Sequence, residues 1–249
     1  MYKSLATAIA LSAAAIAPAA YAQDEPASDI TVTGSVSLTS EYRLRGISQT
    51  DGDPALQGGI TIAHSSGFYV GTWASNLAGY GTYGGSNLEV DAIAGFSKGV
   101  GGVTLDGGFI YYVYPGTKGT DYFELYGAVS APLGPVKAKL GVNWTPDQDN
   151  AAGHNVWVYT DLAFPIEGTP ITLKAHGGYS DGDSFYTKGE DIFDYSVGVD
   201  LTWKALTLNV SYVGTDLDRA TANAGWTAGT KSGRSITKGA VVGTLTAAF

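Results

Sequence analysis

The chain has 249 residues, no cysteine, 35 glycines, 16 tyrosines and a formal net charge of −9. The lack of cysteine excludes a disulfide-stapled secreted scaffold, and an acidic chain with no basic patch argues against nucleic acid as a partner. Glycine and aromatic residues are abundant while only 15% of residues are charged, which suits thin, two-faced strands better than a helical core.

Lys3 supplies a positive start, Leu5 to Ala20 is a short alanine-rich apolar run, and Ala20-Tyr21-Ala22 before Gln23 has the A-x-A form of a signal-peptidase site. With Pro18 near its end, the run is too short to cross a bilayer core of about 30 Å comfortably. Residues 1–22 are therefore expected to be a cleaved signal peptide, residues 23–30 a flexible periplasmic leader, and residues 31–249 one domain. No later stretch approaches the length of a spanning helix.

Two-residue periodicity predicts twelve strands, near 31–44, 55–64, 67–76, 87–97, 103–114, 121–131, 136–145, 154–164, 171–180, 192–203, 205–214 and 237–249. Short connections such as Ser65-Ser66 and Lys204-Ala205 alternate with longer polar ones such as 45–54, 77–86, 181–191 and 215–236. That alternation is the pattern of an all-β, transmembrane, up-and-down antiparallel barrel with both termini on the periplasmic side.

Charge placement follows the same period. Leu88, Val90, Ala92, Ala94 and Phe96 share one face of their strand, while Glu89 and Asp91 take the other. Val136, Ala138, Leu140, Val142 and Trp144 likewise oppose Lys137 and Lys139. Asp161, Asp194 and Asp200 fall opposite the apolar residues of their strands, as do Glu41, Arg43, Asp106, Glu124, Lys174, His176 and Lys238. A charge facing lipid at mid-membrane costs about 2–4 kcal/mol for Arg or Lys, so the charged face is expected to point inward. Strand 67–76 is undecided, because Tyr69 and Trp73 compete with Phe68 and Val70 for the outer face. Tyr111, Phe123, Trp144, Tyr179, Phe193, Tyr195 and Tyr212 near one set of strand ends, and Phe96, Phe164, Trp203 and Phe249 near the other, form two aromatic girdles.

The last strand carries Val241, Gly243, Leu245, Ala247 and Phe249 on one face and ends on the aromatic. This is expected to be the membrane-insertion signal through which the barrel-assembly machinery takes up the chain. A soluble barrel would show the same alternation. The signal peptide, terminal Phe249, girdles and loop rhythm together favour the bacterial outer membrane, with its lipids as partners.

The segment SLTSEYRLRGISQTDGDPALQGGI (residues 37–60), continued by residues 66–76, resembles the opening of the TorF family, small outer-membrane porins of proteobacteria. The rest of the chain is similar in length, strand rhythm and terminal Phe. The resemblance implies a barrel and a porin label; it implies no substrate and no site residues.

Glu41 and Arg43, with Arg45 at the loop junction and Gln57 on the paired strand, form the leading functional candidate. Two readings stay open: fixed charges that set the field of a narrow pore, or an ion-pair network that plugs and stiffens the barrel. The lumen acids Glu41, Glu89, Asp91, Asp106, Glu124, Asp161, Asp194 and Asp200 outnumber the bases Arg43, Lys137, Lys139, Lys174 and Lys238, with His176 also inward. An open lumen would then show a weak cation preference. Neighbouring strands interleave the signs, placing Glu124 one strand from Lys137 and Lys139, and Asp161 one strand from Lys174. Twelve strands enclose less space than the 16–18 of wide porins, so only small hydrophilic solutes would pass. The long loop 215–236 is expected to be exposed and mobile rather than folded inward as a constriction.

No catalytic residue is expected. His64, His154 and His176 are the only histidines, and none lies in a motif that would activate a serine. Asp147-Gln148-Asp149-Asn150 and Asp181-Gly182-Asp183-Ser184 begin like calcium loops but lack Gly at the sixth position and Glu at the twelfth. No metal or cofactor is expected. The leading reading is a passive channel, not an enzyme. Its alternatives are a barrel hydrolase acting on lipid and a plugged structural or adhesive barrel.

Overall fold

The computed structural model describes residues 28–148, 153–227 and 229–249. The expected signal peptide, most of the leader, and Asp149 and Asn150 lie outside these residues.

The chain folds as β1 (Ile30–Thr39), a short hairpin of β2 (Arg43–Leu44) and β3 (Ile47–Ser48), then β4 (Ala55–His64), β5 (Phe68–Asn76) and β6 (Leu88–Val100). It continues through β7 (Val103–Val113), β8 (Tyr122–Leu133), β9 (Val136–Thr145), β10 (Asn155–Pro165), β11 (Ile171–Gly182), β12 (Ile192–Trp203), β13 (Leu206–Thr215) and β14 (Ala240–Ala248). All but β2 and β3 form one closed antiparallel barrel of twelve strands. Each wall strand pairs with its sequence neighbours, and β1 closes on β14 with Leu38 opposite Leu245. Closure leaves no sheet edge unpaired.

Phe249 finishes the seam. Its backbone exchanges hydrogen bonds with Gly34 at 2.8 and 2.9 Å. Its ring lies where a side chain at position 34 would stand, 2.7 Å from an ideal Cβ there, so any larger residue at that point of β1 would displace the ring.

The apolar residues that alternate with the charged ones face outward along the wall strands, among them Val36, Leu38, Ile60, Leu105, Val129, Leu140, Val158, Leu173, Val197, Leu208 and Leu245, all exposed, whereas Ile110 and Ile192 point inward and are buried. β5 follows the same rule. Phe68 and Val70 point out, whereas Tyr69 bonds Asp106 inside and Trp73 packs on Tyr42. The turns at one end are tight: Gly101 and Gly102 link β6 to β7 with φ of 59° and 85°, the left-handed pair that a two-residue hairpin of type I′ requires.

The long-loop end differs from the sequence expectation in two places. The first predicted strand, 31–44, stops at Thr39, and the chain then turns into the barrel, where every residue from Glu41 to Thr50 is buried. Tyr42 and Leu44 keep the parity of lipid-facing residues, yet they fill the lumen instead. Polar partners inside hold the segment there.

Loop 215–236 is likewise not an exposed, mobile loop. It forms α1 (Arg219–Gly225), whose N-terminus Asp218 caps through Ala220 and Thr221 N–H at 2.7 and 3.0 Å, and α2 (Gly233–Thr237). Leu217, Ala222, Trp226 and Ile236 are buried against Ile47, Tyr80, Tyr186 and Ile192, closing a cap over the mouth. Burying Trp226 completely satisfies its indole N–H as well, which donates to the Tyr186 carbonyl at 3.2 Å. Lys231 and Thr230 reach Asp51, so the cap also grips the inward segment.

Candidate functional site: the plugged lumen

The inward hairpin turns at Arg45 and Gly46, with φ of 46° and 80°. Position 46 must be glycine, because a Cβ there would sit 2.6 Å from the Gly214 carbonyl oxygen. Arginine is a costly residue at a left-handed turn position, where glycine or asparagine is usual. The structure gives it a reason. Arg45 Nη2 donates to both oxygens of Glu124, at 2.6 and 2.7 Å. The guanidinium lies 4.7 Å from the Trp157 ring centroid and 5.6 Å from that of Tyr186. With its amide turned to satisfy both neighbours, Asn155 accepts from Arg45 Nη1 at 2.7 Å and donates to the Asp181 carbonyl at 3.2 Å. The Tyr186 hydroxyl bonds the Arg45 carbonyl.

Glu124 is saturated. Besides Arg45 it accepts from Tyr112 at 3.0 Å, Asn143 at 3.0 Å and Thr145 at 2.7 Å. Burial works against the Arg45 charge, but the facing Glu124 carboxylate outweighs it and holds the guanidinium pKa above the usual arginine value. One guanidinium nitrogen thus holds both oxygens of the carboxylate in a buried ion pair.

Around it the hairpin is tied at further points. Arg43 donates to Glu41 at 2.9 Å and to the carbonyls of Gly46 and Lys238 at 2.8 and 2.9 Å. The Tyr42 hydroxyl donates to Glu89 at 2.8 Å, and Tyr114 donates to the other Glu89 oxygen at 3.0 Å. Burial first, and the Glu89 charge second, push the Tyr42 phenol well above its usual range, so it remains a donor. A small recess of about 30 Å³, lined by Arg45, Tyr83, Tyr122, Glu124 and Tyr186 among others, remains beside the hairpin.

Away from the plug the interior is polar, with buried groups such as Asp194 and Asp200 beside half-buried ones such as His176 and Lys139. His176 bridges Asp161 at 2.6 Å and Asp194 at 2.9 Å, and Trp157 Nε1 donates to Asp194 at 2.9 Å. Lys174 reaches Asp200 at 3.8 Å, and Asn209 donates to the same carboxylate at 2.6 Å. Lys139 lies 5.2 Å from the Tyr159 ring centroid, Tyr69 joins Asp106 to Tyr126, and Gln57 donates to Ser75 at 3.3 Å. Lys137 is exposed near the short-turn end.

The structure rearranges several expected neighbours. Glu124 pairs with Arg45, not with Lys137 or Lys139, because Lys139 faces Ser130 at the opposite end of β8. Asp161 meets His176, and Lys174 meets Asp200. Lys238 is not on the lumen face of a strand: β14 begins at Ala240, and Lys238 is exposed with its carbonyl taken by Arg43. Glu41 and Arg43 do lie inside, on the hairpin segment instead of a wall strand. Arg45, expected at the loop junction, is the centre of the site; Tyr42, Tyr112, Tyr114, Asn143, Asn155, Trp157 and Tyr186 complete it and were not anticipated as part of it. The parity of Tyr112 and Tyr114, opposite outward Tyr111, was the available signal.

His64 Nδ1 and Ser66 Oγ stand 2.7 Å apart, but the same ring nitrogen accepts the Ser66 backbone N–H at 3.1 Å, in an exposed turn. This is local turn geometry, without a third group that orients the imidazole for nucleophile activation.

A model of bacterial proteins of unknown function, Gcw_chp, matches residues 23–249. The chain belongs to the Gcw_chp family. No curated protein matches it in sequence. Among solved structures it is similar to the KdgM porin, with a TM-score of 0.56 at 10% identity over 87% of this chain and 98% of that one. A KdgM porin in complex with disordered oligogalacturonate gives 0.57 at 8% over 87% and 99%. The NanC porin gives 0.57 at 9% over 88% and 99%. At these identities the likeness is one of fold: a porin-like twelve-stranded barrel.

Proposed function

We propose that this protein is an outer-membrane, porin-type channel for small hydrophilic solutes, with weak cation preference and a long-loop end closed at rest by the inward hairpin. The observation that carries the reading is the closed barrel with an apolar outside and a charged interior, on a fold similar to that of the KdgM and NanC porins. The TorF resemblance of residues 37–60 and 66–76 points the same way. Glu41, Arg43, Gln57, Glu89, Asp91, Asp106, Glu124, Lys137, Lys139, Asp161, Lys174, His176, Asp194 and Asp200 are the residues proposed to set the field of the path. Phe249 is proposed to present the last strand to the assembly machinery. Carboxylates outnumber cations inside, so the oligogalacturonate of the KdgM complex is not carried over to this chain.

Liposome swelling tests the proposal. Proteoliposomes of refolded protein should swell with small neutral solutes and with small cations, and the rate should fall as solute size rises. Folded barrels that give no swelling with any solute would favour the second reading, a permanently plugged structural barrel, which the buried Arg45–Glu124 pair supports.

A further inference from the structure

The plug leaves two buried carboxylates without a cation. Arg43 is committed to Glu41 and Arg45 to Glu124. Glu89, fully buried, is held by the phenols of Tyr42 and Tyr114. Asp91, two residues along β6 on the same inward face, is 5% exposed, and its Oδ1 has no hydrogen-bond partner. Among the described residues, no lysine, arginine or histidine comes within salt-bridge distance of Glu89 or Asp91. Leaving a buried carboxylate unpaired is among the costliest arrangements a fold can keep.

The surroundings indicate what would satisfy it. In the wall, Asp91 stands between Trp73 on β5 and Tyr112 on β7. Trp73 packs edge-on against Tyr42, with ring centroids 5.3 Å apart. Aromatic faces beside a carboxylate favour a weakly hydrated cation of single charge. A divalent ion asks instead for six or more converging oxygens, and among the described residues no three acidic or histidine side chains converge in that way. Glu89 supplies a second carboxyl group nearby, and the phenolic oxygens of Tyr42 and Tyr114 retain lone pairs after donating to it.

We propose that Asp91, with Glu89 beside it, is a binding station for a monovalent cation inside the lumen. The inference goes beyond the channel reading and does not need the barrel to conduct. The ion neutralises the layer under the hairpin and so stabilises the plugged state.

Potassium is the probe, with N-methylglucamine, a bulky organic cation, as its replacement at equal ionic strength and pH. Thermal unfolding of the refolded full chain is followed in each salt. A ligand that binds only the folded state raises the midpoint, and potassium should raise it by about 2–4 °C over N-methylglucamine. Asp91→Asn should abolish the difference, while Glu167→Gln, in the exposed turn after β10, should keep it. A wild-type midpoint indifferent to the cation overturns the proposal, as does a shift that survives in Asp91→Asn. Should Asp91→Asn raise the midpoint while the wild type ignores the salt, the site holds a proton instead, and the proposal also fails. If Asp91→Asn does not refold, a wild-type series over lithium, potassium and caesium decides. A size-dependent order supports the site, and a flat one overturns it. A non-conducting barrel that still shows the potassium shift would sink the channel reading and leave this one standing.

Discussion

Arg45→Ala should release the hairpin from the lumen without opening the barrel wall. The Arg45 and Glu124 side chains are only 4% and 2% exposed and share two short hydrogen bonds. Removing one partner of such a pair costs about 3–5 kcal/mol, because the other charge stays buried unpaired. At about 1.4 kcal/mol per factor of ten, the displaced hairpin gains roughly two to three and a half orders of magnitude in population. The wall is insulated from this loss, since its ladder bonds run strand to strand around the closed barrel. The chain has no cysteine, so a single Ser48→Cys, at a position with no exposure, gives a clean thiol probe of the hairpin. Maleimide labelling of that introduced thiol should be slow in the wild-type background and faster by about 100-fold in Arg45→Ala, where the buried pair is lost. Adding Glu124→Gln removes the orphaned charge and should bring the rate part of the way back. Arg45→Gly should label somewhat more slowly than Arg45→Ala, because glycine relieves about 1 kcal/mol of left-handed backbone strain. Equal labelling in wild type and Arg45→Ala, with both barrels folded, would refute the clamp.

Three further outcomes follow from the geometry. Trp226→Ala empties the centre of the cap and should cost about 3–5 kcal/mol locally, seen as protease cleavage within 216–239 while the wall survives. Gly46→Ala forces a Cβ against the Gly214 carbonyl at a positive φ, and should speed maleimide labelling of the Ser48→Cys probe without touching any charge. His176→Ala strands the buried Asp194 carboxylate, and should lower the unfolding midpoint more than the double variant His176→Ala/Asp194→Asn does.

The wall was legible because a membrane barrel writes its fold into a period of two. Glu89 and Asp91 against Leu88 and Val90 are enough to orient β6, and the same parity orients ten other strands; only β5, where Tyr69 and Trp73 compete with Phe68 and Val70, stays undecided without the structure. Strand ends were legible within a few residues, since Gly101-Gly102 and Lys204-Ala205 are turn chemistry. The plug was not. Along residues 40–44 the alternation simply continues, and Tyr42 and Leu44 look like two more outward residues. What turns the chain inward is a set of distant partners, Glu89, Glu124, Asn155, Trp157 and Tyr186, on three strands and a loop far away in sequence. Arg45-Gly46 was the local hint, a left-handed pair amid strand-forming residues. The cap was hidden for a related reason: the alanines, glycines and threonines around Trp226 read as loop until Ile47, Tyr80 and Ile192 are brought beside them. Charge pairing failed where neighbouring strands were judged without register, which sets Lys139 opposite Ser130 and far along β8 from Glu124.

The most direct test of the whole account is single-channel recording in a planar bilayer, under a potassium chloride gradient, of the wild type and Arg45→Ala side by side. The account predicts rare, small steps from the wild type and frequent, larger ones from Arg45→Ala, with a reversal potential on the cation side in both. Folded barrels that stay electrically silent in both forms would contradict it.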